Sequence, residues 1–156
     1  AKVAHTYCWH AQDREELVQE IVTQLWRSFS RYDDAQPFST WMYRVALNVA
    51  ISWIRRHSLR RQHMTTLGDE VDHVADTRDS DTEDERIGFL RDFLADLDPL
   101  NRALMLLYLE AHTHRQIAAI LGISETNVAT KISRLKHSVR QQHARSLEED
   151  NANGTR

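Results

Sequence analysis

The sequence contains little cysteine, proline or glycine, and each shortage excludes a class of structure. Its single cysteine, Cys8, cannot form an internal disulfide, which indicates a reducing, cytoplasmic setting. Two prolines and four glycines in 156 residues are too few for an all-β fold with many tight turns, so helices are favoured. No apolar run approaches the ~18 residues of a membrane span, and no signal-peptide pattern is present. We therefore expect a cytoplasmic protein that does not contact a membrane.

Catalytic motifs are missing as well. The sequence has no Gly-rich phosphate loop, no HExxH, no nucleophile elbow and no paired-carboxylate pattern. His5, Cys8 and His10 lie close together, but two or three ligands do not make a structural zinc site. We therefore expect no enzymatic activity, no metal and no cofactor.

Charge is distributed unevenly along the chain, although the formal net charge is only -3. Residues 1–63 hold nine Lys/Arg and six Asp/Glu (+3), residues 64–98 hold three and twelve (-9), and residues 99–156 hold eight and five (+3). Two mildly basic ends thus flank an acidic middle. Because residues 64–84 are polar and their apolar residues do not recur at a regular spacing, they predict a flexible acidic linker between two domains.

Apolar residues recur at helical spacing before this linker. In residues 13–32, Leu17, Ile21 and Leu25 form one ladder, and the neighbouring ladder comprises Val18, Val22, Trp26 and Phe29. Asp13 is the expected N-cap of this helix. A second helix is expected from about Ser39 to Arg56 or a little beyond, and its apolar ladder contains Trp41 and Trp53. Residues 1–63 therefore predict a helical first domain with both tryptophans in its core.

Helices resume at residue 85 and predict a second domain that ends near residue 145. Asp98-Pro99 is a strong helix start, and the following LNRALMLLYLE should form the centre of the second core. Thr113 can cap a helix that Gly122 ends, and Ser124 can cap the last long helix. The buried side of that helix should hold Val128, Ile132, Leu135 and Val139. We therefore expect an all-α chain of two small helical domains, followed by a frayed tail over residues 146–156.

The spacing of Ala118, Gly122, Val128 and Ile132 is typical of a helix-turn-helix. Short polar groups near the start of its second helix can reach base edges in a major groove, and cations there can meet phosphates. Residues 112–145 carry six Lys/Arg and one acid, which supports DNA binding. The alternative is an antiparallel helix pair with a solvated basic face. The candidate DNA-binding residues are Thr126, Asn127, Thr130, Lys131, Ser133, Arg134, Lys136 and Arg140.

Two motif blocks together resemble the extracytoplasmic-function (ECF) sigma factors of the sigma-70 family, which act with bacterial RNA polymerase. The first block resembles region 2 through Glu15-Glu16-Leu17-Val18-Gln19-Glu20, Trp26, and then Phe38, Trp41, Tyr43, Asn48, Arg55 and Arg56. The second block, LADLDPLNRALMLLYLEAHTHRQIAAILGISETNVATKISRLK, resembles region 4. The blocks stand in the right order and are joined by an acidic linker of fitting length, so the resemblance covers nearly the whole chain except the tail.

The resemblance implies a transcription initiation factor that brings core RNA polymerase to promoters. Region 2 would dock on the β′ clamp helices through Glu16, Gln19, Glu20 and Gln24. It would open the −10 element and hold single-stranded bases and phosphates through Asp33, Asp34, Phe38, Tyr43, Arg44, Asn48, Arg55, Arg56, Arg60 and Arg61. Region 4 would read the −35 element as duplex through the helix-turn-helix and meet the polymerase β flap. An anti-sigma or other regulatory protein would be a further partner, and the chain would associate with the nucleoid.

Several positions depart from the family pattern. The first helix of region 2 is expected to be missing, Leu47 replaces an arginine, and no acid stands near Ser52. Ala111 replaces a glycine, and acids common before the helix-turn-helix are Arg115 and Gln116 here. The latter change makes the DNA face more basic, while Leu47 weakens any detailed transfer of base contacts in region 2.

Three points stay open at the level of sequence. Asn48, an amide within an apolar helix, is either a satisfied structural group or a base reader. The acidic linker is either a solvated tether or a segment that threads the polymerase channel and mimics RNA phosphates. The rival function is a ligand- or phosphorylation-controlled regulator that uses the same helix-turn-helix to bind duplex DNA without polymerase.

Overall fold

The computed structural model describes the backbone of residues 2–65 and 82–153 and the side chains of residues 2–58 and 87–146. The chain divides into two compact units, residues 1–85 and 86–156. Every regular element in the described backbone is helical, which confirms the all-α prediction. Of the predicted linker, residues 66–81 lie outside the described residues.

Between residues 2 and 65 the first unit contains three α-helices: α1 (Lys2–Tyr7), α2 (Ala11–Ser28) and α3 (Phe38–Thr65). A short 3-10 turn, Phe29–Arg31, extends α2. The core between the helices contains the predicted Leu17 and Ile21, together with Leu47 and Trp53, and alanines of α3 let the helices approach closely. The α3 helix continues nine residues past Arg56, because no glycine or proline interrupts residues 38–65.

The second apolar ladder of α2 is not buried, which corrects the sequence-based expectation. Val18 is half-buried, Val22 and Phe29 are more than half exposed, and Trp26 is 84% exposed. The reason is that α1 and α3 cover the Leu17–Ile21 stripe of α2, while the apolar surface of this helix is wider than that stripe. The expected N-cap is also wrong: α2 begins two residues before Asp13, and its N-cap residue, His10, makes no side-chain capping bond.

The second unit is built around α5 (Pro99–Leu109), together with α6 (His114–Leu121), α7 (Glu125–Asn153) and all but the first four residues of α4 (Thr82–Asp96). As predicted, α5 supplies most of the core, since residues 103–107 are all buried. The predicted Asp98 cap is confirmed: its carboxylate accepts bonds from the backbone N–H groups of Leu100 and Asn101. The α7 helix continues to Asn153, beyond the predicted domain end at residue 145.

One buried charge in this unit was not singled out by sequence reasoning. The guanidinium of Arg102 is in the core of α5, with 7% of the residue exposed. It donates to the carbonyl of Ala95 at 2.6 Å and to that of Leu97 at 3.2 Å. These carbonyls lie at the C-terminal end of α4, where helix carbonyls lack intrahelical donors. Arg102 therefore caps α4 from the next helix.

The turn between α5 and α6 contains the only left-handed non-glycine residue in the described backbone, Ala111 with φ 61°. The Ala111 N–H bonds to the carbonyl of Tyr108, and the His112 N–H bonds to that of Leu107, as in a helix end closed by glycine. The methyl group of an alanine disfavours this conformation, which a glycine would adopt without strain.

We expect Ala111→Gly to raise the free energy of unfolding of the second unit by about 0.5–1 kcal/mol. The relief of left-handed strain should exceed the extra entropy that glycine has in the unfolded chain. Urea denaturation followed by circular dichroism measures the change. Ala119→Gly, in the middle of α6, should instead lower the stability by about 1 kcal/mol. A fall in stability for both variants would show that Ala111 is not strained.

Candidate nucleic-acid interface

Helices α6 and α7 form the predicted helix-turn-helix. The Thr113 hydroxyl accepts from the Gln116 N–H, and the Gln116 side chain accepts from the Thr113 N–H, so α6 begins with a capping box. Gly122 ends α6 at φ 69°, and the Ser124 hydroxyl caps α7 by accepting from the Asn127 N–H at 3.2 Å. The predicted caps and glycine turn are thus confirmed, and Gln116 performs the capping role that a glutamate could also have performed.

The face of α7 opposite its buried stripe is polar and exposed. Val128, Ile132 and Leu135 are buried as predicted, while Val139 is half-buried. Since residues three and four apart share a helix face, the exposed candidates form one continuous surface. It contains Thr126, Asn127, Thr130, Ser133, Arg134 and Arg140, with the half-buried Lys131 at its edge.

Two residues near the end of this surface depart from the expectation. Lys136 is half-buried, and its ammonium lies 5.5 Å from the centre of the Tyr108 ring on α5. This cation–π contact places it on the flank of α7 rather than in the middle of the exposed face. His137, which was not among the candidates, is exposed four residues after Ser133 and therefore lies on that face. The i, i+4 spacing from Ser133 could have identified it.

In the first unit, the loop between α2 and α3 is held by a cluster of aromatic rings. Tyr32 lies 5.3 Å from Trp41 and 5.4 Å from Phe38, and Phe29 lies 6.2 Å from Trp41, measured between ring centres. The Tyr32 hydroxyl donates to the Gln36 carbonyl at 2.8 Å, across the loop. Trp53 lies in the core as predicted, whereas Trp41 is only half-buried and packs in this cluster instead of in the core.

The candidate base-binding groups surround this loop. Asp33 and Asp34 are exposed, and the Asp33 carboxylate accepts from the Ala35 N–H at 3.0 Å, which shapes the turn. Half of the Phe38 residue is exposed at the start of α3. Tyr43 and Arg44 are half-buried beyond it. The loop therefore presents both carboxylates and an aromatic ring to solvent.

Asn48 and Leu47 occupy opposite environments on α3. Asn48 is exposed, so its amide carries no desolvation cost that an internal partner would have to offset. It lies one helical turn after Arg44, on the same side of α3. Leu47 is 1% exposed and belongs to the core, as an apolar residue on the inner side of α3 would.

The predicted cationic cluster and the predicted polymerase-binding set meet on one side of this unit. Arg55 is exposed, whereas Arg56 forms an ion pair with Glu20 on α2. Glu20 is a candidate for polymerase binding and Arg56 is a candidate for DNA binding, so the ion pair joins one residue from each candidate set. The remaining polymerase-binding candidates, Glu16, Gln19 and Gln24, are exposed. The side chains of Arg60 and Arg61 lie outside the described residues.

An exposed apolar strip on α2 was missed as a functional surface because its residues had been assigned to the core. The strip consists of Val22, Trp26 and Phe29, which follow one another at i, i+4 and i+7. It lies beside Gln19, one turn before Val22. The width of the apolar surface of α2 was the available signal, since one three-helix bundle covers only part of such a helix. Exposed apolar strips of this kind mark interaction surfaces.

Comparisons with known proteins match both units. The family model "Sigma-70 region 2" matches residues 1–60, and "Sigma-70, region 4" matches residues 90–137. The chain is 28% identical to the ECF RNA polymerase sigma factor SigE of Mycolicibacterium smegmatis, over 95% of this chain and 58% of that protein. It is 31% identical to the ECF sigma factor SigK of Mycobacterium sp. (strain JLS), over 81% of this chain and 66% of the relative. It thus spans less than two thirds of the length of these curated relatives.

The fold is similar to that of the sigma factor RpoE from Bartonella quintana, solved in complex with the anti-sigma factor NepR. The TM-score is 0.68 at 16% identity, over 89% of this chain and 86% of that one. At this identity the likeness shows the fold alone. In the described part of the chain, no helix is both long and apolar enough to cross a bilayer.

Proposed function

Because the chain belongs to the extracytoplasmic-function sigma factors of the sigma-70 family, we propose that it binds core RNA polymerase and directs it to promoters. In this proposal the chain acts in the cytoplasm, at the nucleoid, and catalyses no reaction itself. The first unit opens the −10 element and the second reads the −35 element. The observation that carries the proposal is the exposed polar face of α7, presented by a capped helix-turn-helix.

Reading of the −35 element is supported by the chemistry of that face. Thr126, Asn127 and Thr130 lie near the start of α7, where short side chains can approach base edges in a major groove. The Thr130 hydroxyl donates to the Thr126 carbonyl at 2.9 Å, so its oxygen can still accept a bond from a base. Arg134 and Arg140 follow on the same face and would bind phosphates.

Opening of the −10 element is supported by the loop of residues 33–37 and the aromatic cluster beneath it. An unstacked base needs a ring to stack on and polar groups to read its edge. Phe38 offers a half-exposed ring, and the exposed Asn48 offers a donor and an acceptor. Arg55 and Arg56 would bind the phosphates of the captured strand.

Polymerase docking is best assigned to α2. Glu16, Gln19 and Gln24 supply exposed polar groups for the basic surface of the clamp helices, and Glu20 adds a carboxylate that is partly exposed. The strip Val22–Trp26–Phe29 adds an apolar contact beside them. Aromatic anchors surrounded by polar groups are typical of protein–protein interfaces. Region 4 would meet the β flap. The acidic linker would serve as a tether or thread the polymerase channel; its residues 66–81 lie outside the described residues. An anti-sigma or other regulatory protein would bind the free chain.

The test is co-purification with core polymerase, followed by run-off transcription on genomic fragments. We expect Arg134→Ala and Lys131→Ala to lower promoter-dependent initiation about tenfold without weakening polymerase binding, because each removes a cation that would bind DNA phosphate. Arg145→Ala is the matched control, since this exposed cation lies about 16 Å beyond Arg134 along α7, away from the start of the helix.

Two outcomes would contradict the proposal. An equal loss of polymerase binding in Arg134→Ala would remove this residue from the DNA surface. Tight binding of duplex DNA by the chain alone, as a dimer on a palindrome and without any affinity for polymerase, would instead identify the rival helix-turn-helix regulator.

A further inference from the structure

The Glu20–Arg56 ion pair joins two surfaces that have separate binding roles in the proposed function. Glu20 is on α2, beside the apolar strip, and Arg56 is on α3, next to Arg55. The Arg56 Nη2 donates to the Glu20 carboxylate, and its Nε donates to the Ser52 carbonyl at 3.4 Å. The guanidinium therefore binds one acceptor on α2 and one carbonyl of its own helix.

The turn that carries Arg56 is held in place by its neighbours. The His57 ring stacks on the Trp53 ring with centres 3.5 Å apart, and the His57 Nδ1 lies 3.0 Å from the Trp53 carbonyl. Trp53 is in the core, so this stack fixes the end of the turn against the body of the unit. Glu16, Glu20, Trp53, Arg56 and His57 line a small cavity of about 40 Å³. The pair therefore lies at the edge of a small open cleft on the surface of the unit.

Neither member of the pair can bind an outside partner fully while it binds the other. The side chains remain partly exposed, 37% for Glu20 and 53% for Arg56, so a phosphate or a basic side chain can reach them. A phosphate that approaches Arg56 must compete with a carboxylate already bound there. A cation that approaches Glu20 must likewise displace a guanidinium.

We propose that Glu20 acts as an internal competitor for promoter phosphates: it lowers the DNA affinity of Arg56 in the free chain, and polymerase contact at Glu20 relieves this restraint. Only the part of this inference that concerns polymerase binding rests on the proposed function. Binding of polymerase and of DNA then become coupled, because each ligand removes the partner that holds the group needed by the other. By linkage, the coupling has the same size in both directions.

The size of the coupling follows from the exposure of the pair. Ion pairs between partly exposed side chains are worth about 0.2–1 kcal/mol, so the expected change in affinity is about 1.5- to 5-fold. A coupling of this size favours DNA binding by the holoenzyme over binding by the free chain, without preventing either.

The DNA half is tested on the full chain without polymerase. We expect Glu20→Gln to tighten binding of a forked DNA probe with single-stranded arms two- to fivefold at low salt. The affinity should also depend more steeply on salt concentration, because Arg56 is then free to bind phosphate fully. In the Arg56→Gln background, Glu20→Gln should change the affinity little. Fluorescence anisotropy at several salt concentrations measures both quantities, and thermal melting checks that each variant is folded.

Matched controls separate this mechanism from a general effect of removing an acid. Glu16 is exposed one turn before Glu20, and Arg55 precedes Arg56; within residues 2–58 and 87–146 neither side chain makes an ion pair. Glu16→Gln and Arg55→Gln should therefore have additive effects when combined. If Glu20→Gln tightened DNA binding equally with and without Arg56, or left it unchanged, the proposal would be overturned. Should Glu20→Gln melt too early to assay, Glu20→Asp replaces it, because a carboxylate shorter by one methylene keeps the charge and reaches Arg56 less well. It should likewise tighten DNA binding only when Arg56 is present, and an equal gain in the Arg56→Gln background would overturn the proposal.

The polymerase half is measured in the absence of DNA. Arg56→Gln should tighten polymerase binding two- to fivefold by releasing Glu20, and this gain should vanish in the Glu20→Gln/Arg56→Gln double variant. A gain that persisted in the double variant would contradict the coupling. If even the unaltered chain failed to bind polymerase, the proposed function would fall, while the DNA measurements would still decide whether Glu20 restrains Arg56.

Discussion

Replacing Trp26 with alanine should weaken the affinity for core polymerase about tenfold or more while leaving the fold intact. The indole is 84% exposed, so its removal costs the core of the first unit almost nothing. A large aromatic ring that becomes buried in an interface can contribute about 2 kcal/mol or more to binding. The apolar strip Val22–Trp26–Phe29 stays largely exposed, although the Phe29 ring contacts Trp41 of α3. In the proposed function, polymerase covers this strip. Binding to purified core enzyme by fluorescence titration measures the effect.

Thr23→Ala is the control for this variant, because Thr23 is exposed on the same helix and carries no large apolar group. Its polymerase affinity should stay within about twofold of the unaltered chain, as expected for a neutral contact or no contact. Thermal melting should give nearly the same midpoint for both variants. An unchanged polymerase affinity in Trp26→Ala would place the clamp-binding surface elsewhere on the unit.

Replacing Arg102 with alanine should lower the free energy of unfolding of the second unit by about 2–4 kcal/mol. The change removes a buried side chain and leaves a cavity beneath α4. It also leaves the carbonyls of Ala95 and Leu97 without the guanidinium that now donates to them. Arg102→Lys should recover only part of the loss, since an ammonium is a compact charge that cannot reproduce the planar fork. Urea denaturation of the full chain, followed by circular dichroism, measures both variants.

Arg115→Ala provides the comparison, because this arginine is exposed at the start of α6. Surface substitutions of this kind usually change stability by less than about 0.5 kcal/mol. If Arg102→Ala were no more destabilising than Arg115→Ala, the capping bonds to α4 would contribute nothing measurable, and the position of Arg102 in the core would have to be explained by function.

Local signals in the sequence predicted the second unit well. Asp98, Thr113 and Ser124 bond to backbone groups two or three residues away, and Gly122 ends α6 through its own φ angle. Such features depend on a few consecutive residues and can therefore be recognised without knowledge of the rest of the fold. Asp13 had the right residue type for a cap, but the chain enters α2 at Ala11, after the α1–α2 turn, and the side chain falls inside the helix.

The exposed surface of a helix was predicted correctly where the spacing of its apolar residues alone shows which face is buried. The buried side of α7 follows directly from the spacing of Val128, Ile132 and Leu135, so its exposed polar face could be identified as well. Periodicity failed on α2, where it assigned Trp26 to the core. A helical repeat shows which residues share a face, but it does not show how much of a wide apolar face the neighbouring helices cover.

The sequence by itself determined the all-α class, the helix-turn-helix with its caps, and the family, because these depend on short-range spacing and on motif order. Only the tertiary structure decided that Trp26 faces solvent, that Arg102 caps a different helix, and that Glu20 meets Arg56. The physical reason is that these contacts join separate helices, 36 residues apart in the ion pair. Their existence depends on how the helices pack, which no local pattern encodes.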